Sequence, residues 1–151
     1  MRLWSYTLSL AFLVTAMPMA GQATGLPQEY PAVVTRVLDG DTVEVEFEVY
    51  RLGPRVMKVT ERLRLSGVQA PEIRRADCAA EASAGAAAQA WLTAQITGQN
   101  VRVIILGPEK YGRARGDVIL ASGMRLSDAL IAAGHAAPWD GRSASRPDFC
   151  S

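Results

Sequence analysis

Histidine is almost missing from this 151-residue chain: His135 is the only one, placed between Gly134 and a pair of alanines. A single histidine just past a helix stop reads as a packing or helix-end residue. Without a well-placed imidazole, Ser-His-Asp and Cys-His hydrolase mechanisms lose their general base. Cysteine is nearly as scarce. Cys78 and Cys150 are the only two, and with one histidine they are too few for a structural zinc site built from those residue types. An excess of one charge is lacking too, since 16 Lys and Arg face 15 Asp and Glu, a formal net charge of +1. That argues against a strongly basic protein that coats nucleic acid through salt-dependent charge alone, yet it leaves room for a local positive site. The apolar run at residues 8–17 falls short of the roughly 20 residues that span a bilayer.

That run has a different meaning at the start of a chain. Arg2 precedes it and Gly21-Gln22-Ala23 offers a small-x-small cleavage signal, so residues 1–23 read as a signal peptide. The alternative is an uncleaved membrane anchor. The expectation is an exported protein, periplasmic or secreted, that starts near Thr24 and has no stable membrane association after processing. Losing Arg2 takes the formal charge from +1 to zero. In an oxidising compartment an even pair of cysteines reads as a disulfide, with two free thiols as the alternative. A Cys78–Cys150 bridge would close a loop of about 70 residues, worth about 4 kcal/mol in the chain-entropy picture. Hydrophobic residues make up 49% of the chain, enough for one core and one domain.

Periodicity gives the order of elements. After a lead-in at 24–31, an apolar run at 32–38 reads as a strand. Val43, Val45, Phe47 and Val49 then alternate with Glu44, Glu46 and Glu48, the period of a half-buried strand. Leu52-Gly53-Pro54 breaks the run before a third strand at 56–66, in which Val59, Leu63 and Leu65 share one face and Lys58, Thr60, Arg62 and Arg64 the other. Ala70-Pro71 marks a turn. Asp77 is the expected N-cap of an alanine-rich helix running to Ile96 and stopped by Gly98. Strands at 101–106 and 115–121 flank a loop at 107–112, and Ser127 is the expected cap of a last helix ending at Gly134. The polar tail, 138–151, would be irregular apart from its disulfide tether. The predicted fold is α+β and mainly β: a five-stranded OB-type barrel over 32–137 with an inserted helix and a C-terminal helix.

The residues with chemistry sit at the turns. Asp39-Gly40-Asp41-Thr42 either makes a turn or aims a carboxylate at a hard cation. Arg64 lies eight residues before Glu72, which follows the Ala70-Pro71 turn, and Lys110-Tyr111-Gly112-Arg113 presents a second arginine. Two arginine forks suit a phosphodiester, because each binds phosphate oxygens in pairs and stays charged at any working pH. A nearby glutamate can position or deprotonate a water. Surface ion pairs among Arg64, Glu72 and Arg113 are the alternative. Arg62, Arg74, Arg75 and Arg115 form either a local basic patch with these or a solvated face.

In order, the stretches LDGDTV, RLSGVQAPE, EKYGRARGDVIL and MRLSDALIAAGHA resemble the staphylococcal nuclease (thermonuclease) family over roughly residues 33–137. The resemblance implies an OB-fold barrel with one Ca²⁺ in a cleft that cleaves DNA and RNA, preferably single-stranded, to 3′-phosphorylated products, most simply as a monomer. Carried over, Asp41 is a direct calcium ligand, Asp39 and Thr42 support it from behind, and the Ala70 carbonyl faces the ion. Glu72 is the proposed general base. Arg64 and Arg113 clamp the phosphate and stabilise transition-state charge, and Lys110 and Tyr111 lie near a flanking phosphate.

One position departs from the pattern. Where the family has a second aspartate on calcium, this chain has Gln69. A carboxamide offers an oxygen but no charge, and calcium affinity follows ligand charge. The resemblance therefore implies a weakened calcium site, with Glu81 and Asp77 as possible substitute carboxylates. The alternative to an enzyme is a catalytically silent OB module that binds nucleic acid or another anionic partner.

Overall fold

The computed structural model describes residues 28–141 and 146–151. The expected leader at 1–23, the start of the lead-in and residues 142–145 lie outside them.

Alternation organises the first hairpin. In β2 (Thr42–Leu52) the side chains of Val43, Val45 and Phe47 are buried while Glu44 and Glu46 are only partly covered. This strand pairs antiparallel with β1 (Gln28–Asp39) on one side and β3 (Arg55–Leu65) on the other. The chain continues through β4 (Val68–Gln69), α1 (Ala79–Ile96), β5 (Asn100–Glu109), a 3₁₀ turn at Lys110–Gly112, β6 (Arg113–Ile119), α2 (Leu126–Ala132) and β7 (Ala137–Pro138). Five strands close a barrel in the order β1-β2-β3-β6-β5, as expected. Two long-range pairings make the closure: β5 returns to β1, with Gln28 opposite Ile105, and β6 runs parallel to the end of β3, with Leu63 opposite Ala114.

Val34, Val43, Val45, Leu63, Leu65, Val103 and Val118 fill the barrel, joined by Leu92 and Ile96 from α1 and Leu126 and Leu130 from α2. Each such side chain contributes about 1.5–3 kcal/mol on full burial. The inward alternation stops at Phe47. Val49, Tyr50, Leu52, Val56 and Met57 in the outer half of the β2–β3 hairpin are exposed, and the pairing register shifts between Glu48 and Tyr50.

Several boundaries differ from the expected ones. The first strand starts at Gln28 because β5 offers it a partner there. β5 runs on to Glu109, so the expected loop at 107–112 shrinks to the 3₁₀ turn, and β6 begins two residues early, at Arg113. The N-cap of α1 is Cys78, whose Sγ accepts the Glu81 N–H at 3.3 Å; Asp77 is drawn off the helix because its own N–H is held by the Glu81 carboxylate. Ser127 is no cap either. It sits inside α2, where its hydroxyl donates to the buried Asp117 carboxylate on β6 at 2.5 Å, and Arg125 takes the cap position. Gly98 and Gly134 end their helices with left-handed φ as expected, and His135 packs its ring 5.2 Å from that of Trp91. A disulfide joins Cys78 to Cys150 and ties the tail to the start of α1.

Helix α1 meets the chain after β4 at close quarters. A Cβ on Gly85 would lie 2.7 Å from the Pro71 carbonyl oxygen and 2.9 Å from that of Glu72. Gly85→Val is therefore expected to lower stability by about 1–3 kcal/mol through overpacking, measured as the shift in a urea unfolding midpoint.

Candidate active site

The β1–β2 turn consists of Gly40 and Asp41 between the paired Asp39 and Thr42. Neither turn residue has a left-handed φ, so glycine is not needed here for its backbone freedom. It is needed for room: a Cβ on Gly40 would stand 2.7 Å from that of Ala70 and 3.0 Å from that of Ala88. Asp39 Oδ1 accepts the Asp41 N–H at 3.2 Å and fixes the turn, a common use of aspartate in turns. The bare glycine lets this turn press against Ala70, and that contact delivers Asp41 to its partners. Its Oδ2 accepts the Ala70 N–H at 2.8 Å and pairs with Arg64 Nη2 at 2.9 Å, while the Thr42 hydroxyl donates to Oδ1 at 3.3 Å. Burial pushes the Asp41 carboxyl up to about 7, with the Arg64 charge and the Ala70 N–H pulling the other way and Asp39 adding to the rise.

Arg64 stands at the end of β3, on the face opposite Leu63 and Leu65, yet it is only 9% exposed. It reaches across to hold three pieces of backbone and side chain together. Nη1 donates to the Leu65 carbonyl at 2.9 Å, and Nη2 donates to Gln69 Oε1 at 2.9 Å in addition to its pairing with Asp41. Gln69 in turn uses Nε2 to donate to the Ala70 carbonyl at 2.9 Å. The short β4–β7 pairing, Gln69 opposite Ala137, holds Gln69 and Ala70 at this position.

The opposite wall comes from the 3₁₀ turn and β6. Arg113 Nε and Nη2 donate to the two Glu109 carboxylate oxygens at 2.8 and 3.1 Å, an arrangement that raises the Arg113 pKa above its ordinary value. Tyr111, with φ of 67°, is the only residue other than glycine with a left-handed φ among the described residues, and it is 90% exposed. Such conformations are costly for a bulky residue and concentrate at functional turns. Lys110 is exposed beside it. Glu72 lies partly buried, its N–H donated to Glu81 Oε1 at 3.0 Å and its own carboxylate without a hydrogen bond or ion pair among the described residues.

These residues share one cleft of about 1130 Å³, lined by Asp39, Asp41, Arg64, Gln69, Glu72, Lys110, Tyr111 and Arg113, with Arg62, Arg74, Arg75 and Arg115 around them. The expected basic patch therefore falls on the cleft. Thr42 and Ala70 lie behind the lining, bonded to Asp41. Two contributors went unread in the sequence, and a third, Glu81, was read only as a possible calcium ligand. Glu109 occupies the Arg113 fork. Trp139 lines the cleft, and its backbone N–H donates to the Gly67 carbonyl. Glu81 holds the turn that carries Glu72.

The expected calcium donors are all oxygens, which suits a hard cation in kind. They carry little charge. Asp41 is the single carboxylate in the direct set, and it already pairs with Arg64, while the Gln69 and Ala70 oxygens accept from Arg64 and from Gln69. The substitute carboxylates do not come forward: Glu81 is 1% exposed and engaged by two backbone N–H groups, Asp77 faces Arg146, and neither lines the cleft. Among the described residues no group of three or more acidic, histidine or cysteine side chains gathers in a way that could hold a metal. The donor set thus fits calcium in type and falls short in charge.

A family model described as staphylococcal nuclease homologue matches residues 62–148. The match includes Arg64, Gln69, Ala70, Glu72, Lys110, Tyr111 and Arg113 and begins after the Asp39–Thr42 turn, whose place in the site rests on the geometry above. No curated protein matches the chain.

Proposed function

Because the chain belongs to the staphylococcal nuclease homologue family, we propose that it is an exported phosphodiesterase that cleaves DNA and RNA within this cleft. The observation that carries the reading is the Glu72 carboxylate, left without a partner among the described residues in a cleft that Arg64 and Arg113 also line. Glu72 takes a proton from a water that attacks phosphorus, and the bond to the 5′ oxygen breaks; that oxygen takes up a proton and leaves as a 5′-hydroxyl, while the other product keeps a 3′-phosphate. Arg113, the more accessible fork, binds the non-bridging oxygens, and Arg64 stabilises negative charge from the floor. Lys110 meets a flanking phosphate, with Tyr111 beside it. Calcium, held by Asp41, the Gln69 carboxamide oxygen and the Ala70 carbonyl, would supply Lewis-acid stabilisation of the phosphate charge. Flexible single strands suit an open cleft lined by arginines, and the chain would act as a monomer. The Cys78–Cys150 bridge supports an oxidising compartment, periplasm or medium.

A second reading has an observation of its own. Arg64 bridges Asp41 and Gln69, and Gln69 closes on the Ala70 carbonyl, which favours a barrel that binds nucleic acid without cutting it. Digestion of heat-denatured DNA in excess Ca²⁺ against EDTA separates the two, with Arg64→Ala run in parallel. Calcium-dependent cleavage that this substitution abolishes supports the nuclease. A folded protein that binds the strand and leaves it intact at ten millimolar calcium, about tenfold above the ~1 mM Kd of the weakest extracellular calcium modules, supports the binding module.

Glu109 competes with substrate for Arg113 in either case. Glu109→Gln is expected to tighten single-stranded DNA binding about two- to fivefold, the equivalent of a partly exposed ion pair of ~0.5–1 kcal/mol. Fluorescence anisotropy at fixed ionic strength measures it.

A further inference from the structure

Glu81 is the one acidic side chain of α1 turned away from water: it lies in the first turn and is 1% exposed. A buried carboxylate is costly unless it is paired and hydrogen-bonded, and this one is fully engaged. Oε1 accepts the Glu72 N–H at 3.0 Å and Oε2 accepts the Asp77 N–H at 2.7 Å, so one side chain gathers both ends of the 72–77 loop onto the helix. Its counter-charge comes from the far end of the chain. Arg146 Nη2 bonds to Oε1, Arg146 Nη1 pairs with Asp77 Oδ2 at 3.2 Å, and the guanidinium lies 5.9 Å from the centre of the Phe149 ring. Arg146 reaches this spot because the disulfide fastens Cys150 to Cys78, three residues before Glu81. From the other side Gly85 packs directly on the Pro71 and Glu72 carbonyls. The backbone of Glu72 is thus gripped between a helix glycine and a carboxylate whose charge is balanced by the tail.

We propose that Glu81 is a positioning residue for Glu72, and that the disulfide-tethered Arg146 keeps it in place, so that alignment of the proton acceptor depends on the tail being tied down. The proposal rests on the reading of Glu72 as the general base. Removing Arg146, or freeing the tail, leaves Glu81 buried without its counter-charge. Its hold on the Glu72 and Asp77 N–H groups then loosens, and the carboxylate of Glu72 loses its fixed direction into the cleft. Substrate binding through Arg113 and Lys110, on the opposite wall, is untouched.

Arg146→Ala, Arg146→Lys and Cys150→Ser test this in the full chain; Cys78 is left intact because its sulfur caps α1. Two quantities are measured: kcat and KM on denatured DNA, and amide hydrogen exchange at Glu72 and Asp77. Arg146→Ala and Cys150→Ser are expected to lower kcat about tenfold with KM unchanged. Exchange at both amides should rise at least tenfold, roughly the 1.4 kcal/mol that a factor of ten represents, while amides in β2 and β3 stay as they were. Arg146→Lys should recover most of kcat. A wild-type chain that leaves DNA uncut overturns the nuclease reading on which the proposal rests. A wild type that cuts, with exchange at Glu72 unchanged in both variants, overturns the positioning role alone, as does faster exchange with an unaltered kcat.

Discussion

Replacing Glu72 by Gln is expected to lower kcat for cleavage of denatured DNA by about 10²–10⁴-fold, the usual contribution of a positioned general base, with KM nearly unchanged. Glutamine has the same shape, and the bond from the Glu72 N–H to Glu81 is a backbone bond that survives the exchange. The arginines that would bind the phosphate are not touched. The loss therefore falls on the proton-transfer step alone, which steady-state kinetics at saturating substrate reads directly. Retention of activity within tenfold would remove Glu72 from that role. Asp41 would be a poor replacement, since it is buried and paired with Arg64.

Gln69→Asp should act in the opposite direction. The carboxamide now spends its oxygen on Arg64 and its nitrogen on the Ala70 carbonyl. An aspartate cannot donate, so the Ala70 oxygen is released, and a second negative charge appears beside Asp41. Two carboxylates and a free carbonyl form a better calcium set than one carboxylate and two occupied oxygens. The expected gain is about 1–3 kcal/mol, the range of a charged hydrogen-bonding partner, or roughly a 5- to 150-fold fall in calcium Kd by isothermal titration calorimetry. Cleavage at limiting calcium should rise with it. No change in Kd would mean that the ion does not bind among Asp41, Gln69 and Ala70.

Much of this molecule was legible because its signals are local. The alternation at Val43, Val45 and Phe47 fixes which face of β2 is buried. Gly98 and Gly134 mark helix ends by a conformation other residues avoid. The turn at Asp39–Thr42 and the Lys110–Arg113 stretch also declare themselves in a few consecutive residues. What stayed hidden depends on partners far along the chain. The pairing of Val68–Gln69 with Ala137–Pro138 involves strands too short to leave a pattern, yet it places Gln69 and brings Trp139 to the cleft. Asp77 is a good cap by type, and Cys78 takes the position because Glu81 claims the Asp77 N–H. Ser127 likewise looks like a cap until the buried Asp117 captures its hydroxyl. Arg64 reads as an outward residue on an alternating strand, and only the packing of the Gly40 turn against Ala70 shows that it is enclosed. The same enclosure explains why Glu81, one acid in an alanine-rich helix, drew notice only as a possible metal ligand.

Barrel closure has a consequence for when the chain can fold. β1 finds its first partner at once in β2, but its second, β5, lies opposite it only when Ile105 meets Gln28, and the seam between β3 and β6 waits for Ala114. Such non-local contacts must overcome loop-closure entropy before they repay it, which places folding in the slower, millisecond-to-second range. A nascent chain lacking its last third holds only the β1–β2–β3 meander and α1, with two open edges and no enclosed core. The enclosed core can form only once β5 and β6 have been made, because they supply the seams with β1 and β3.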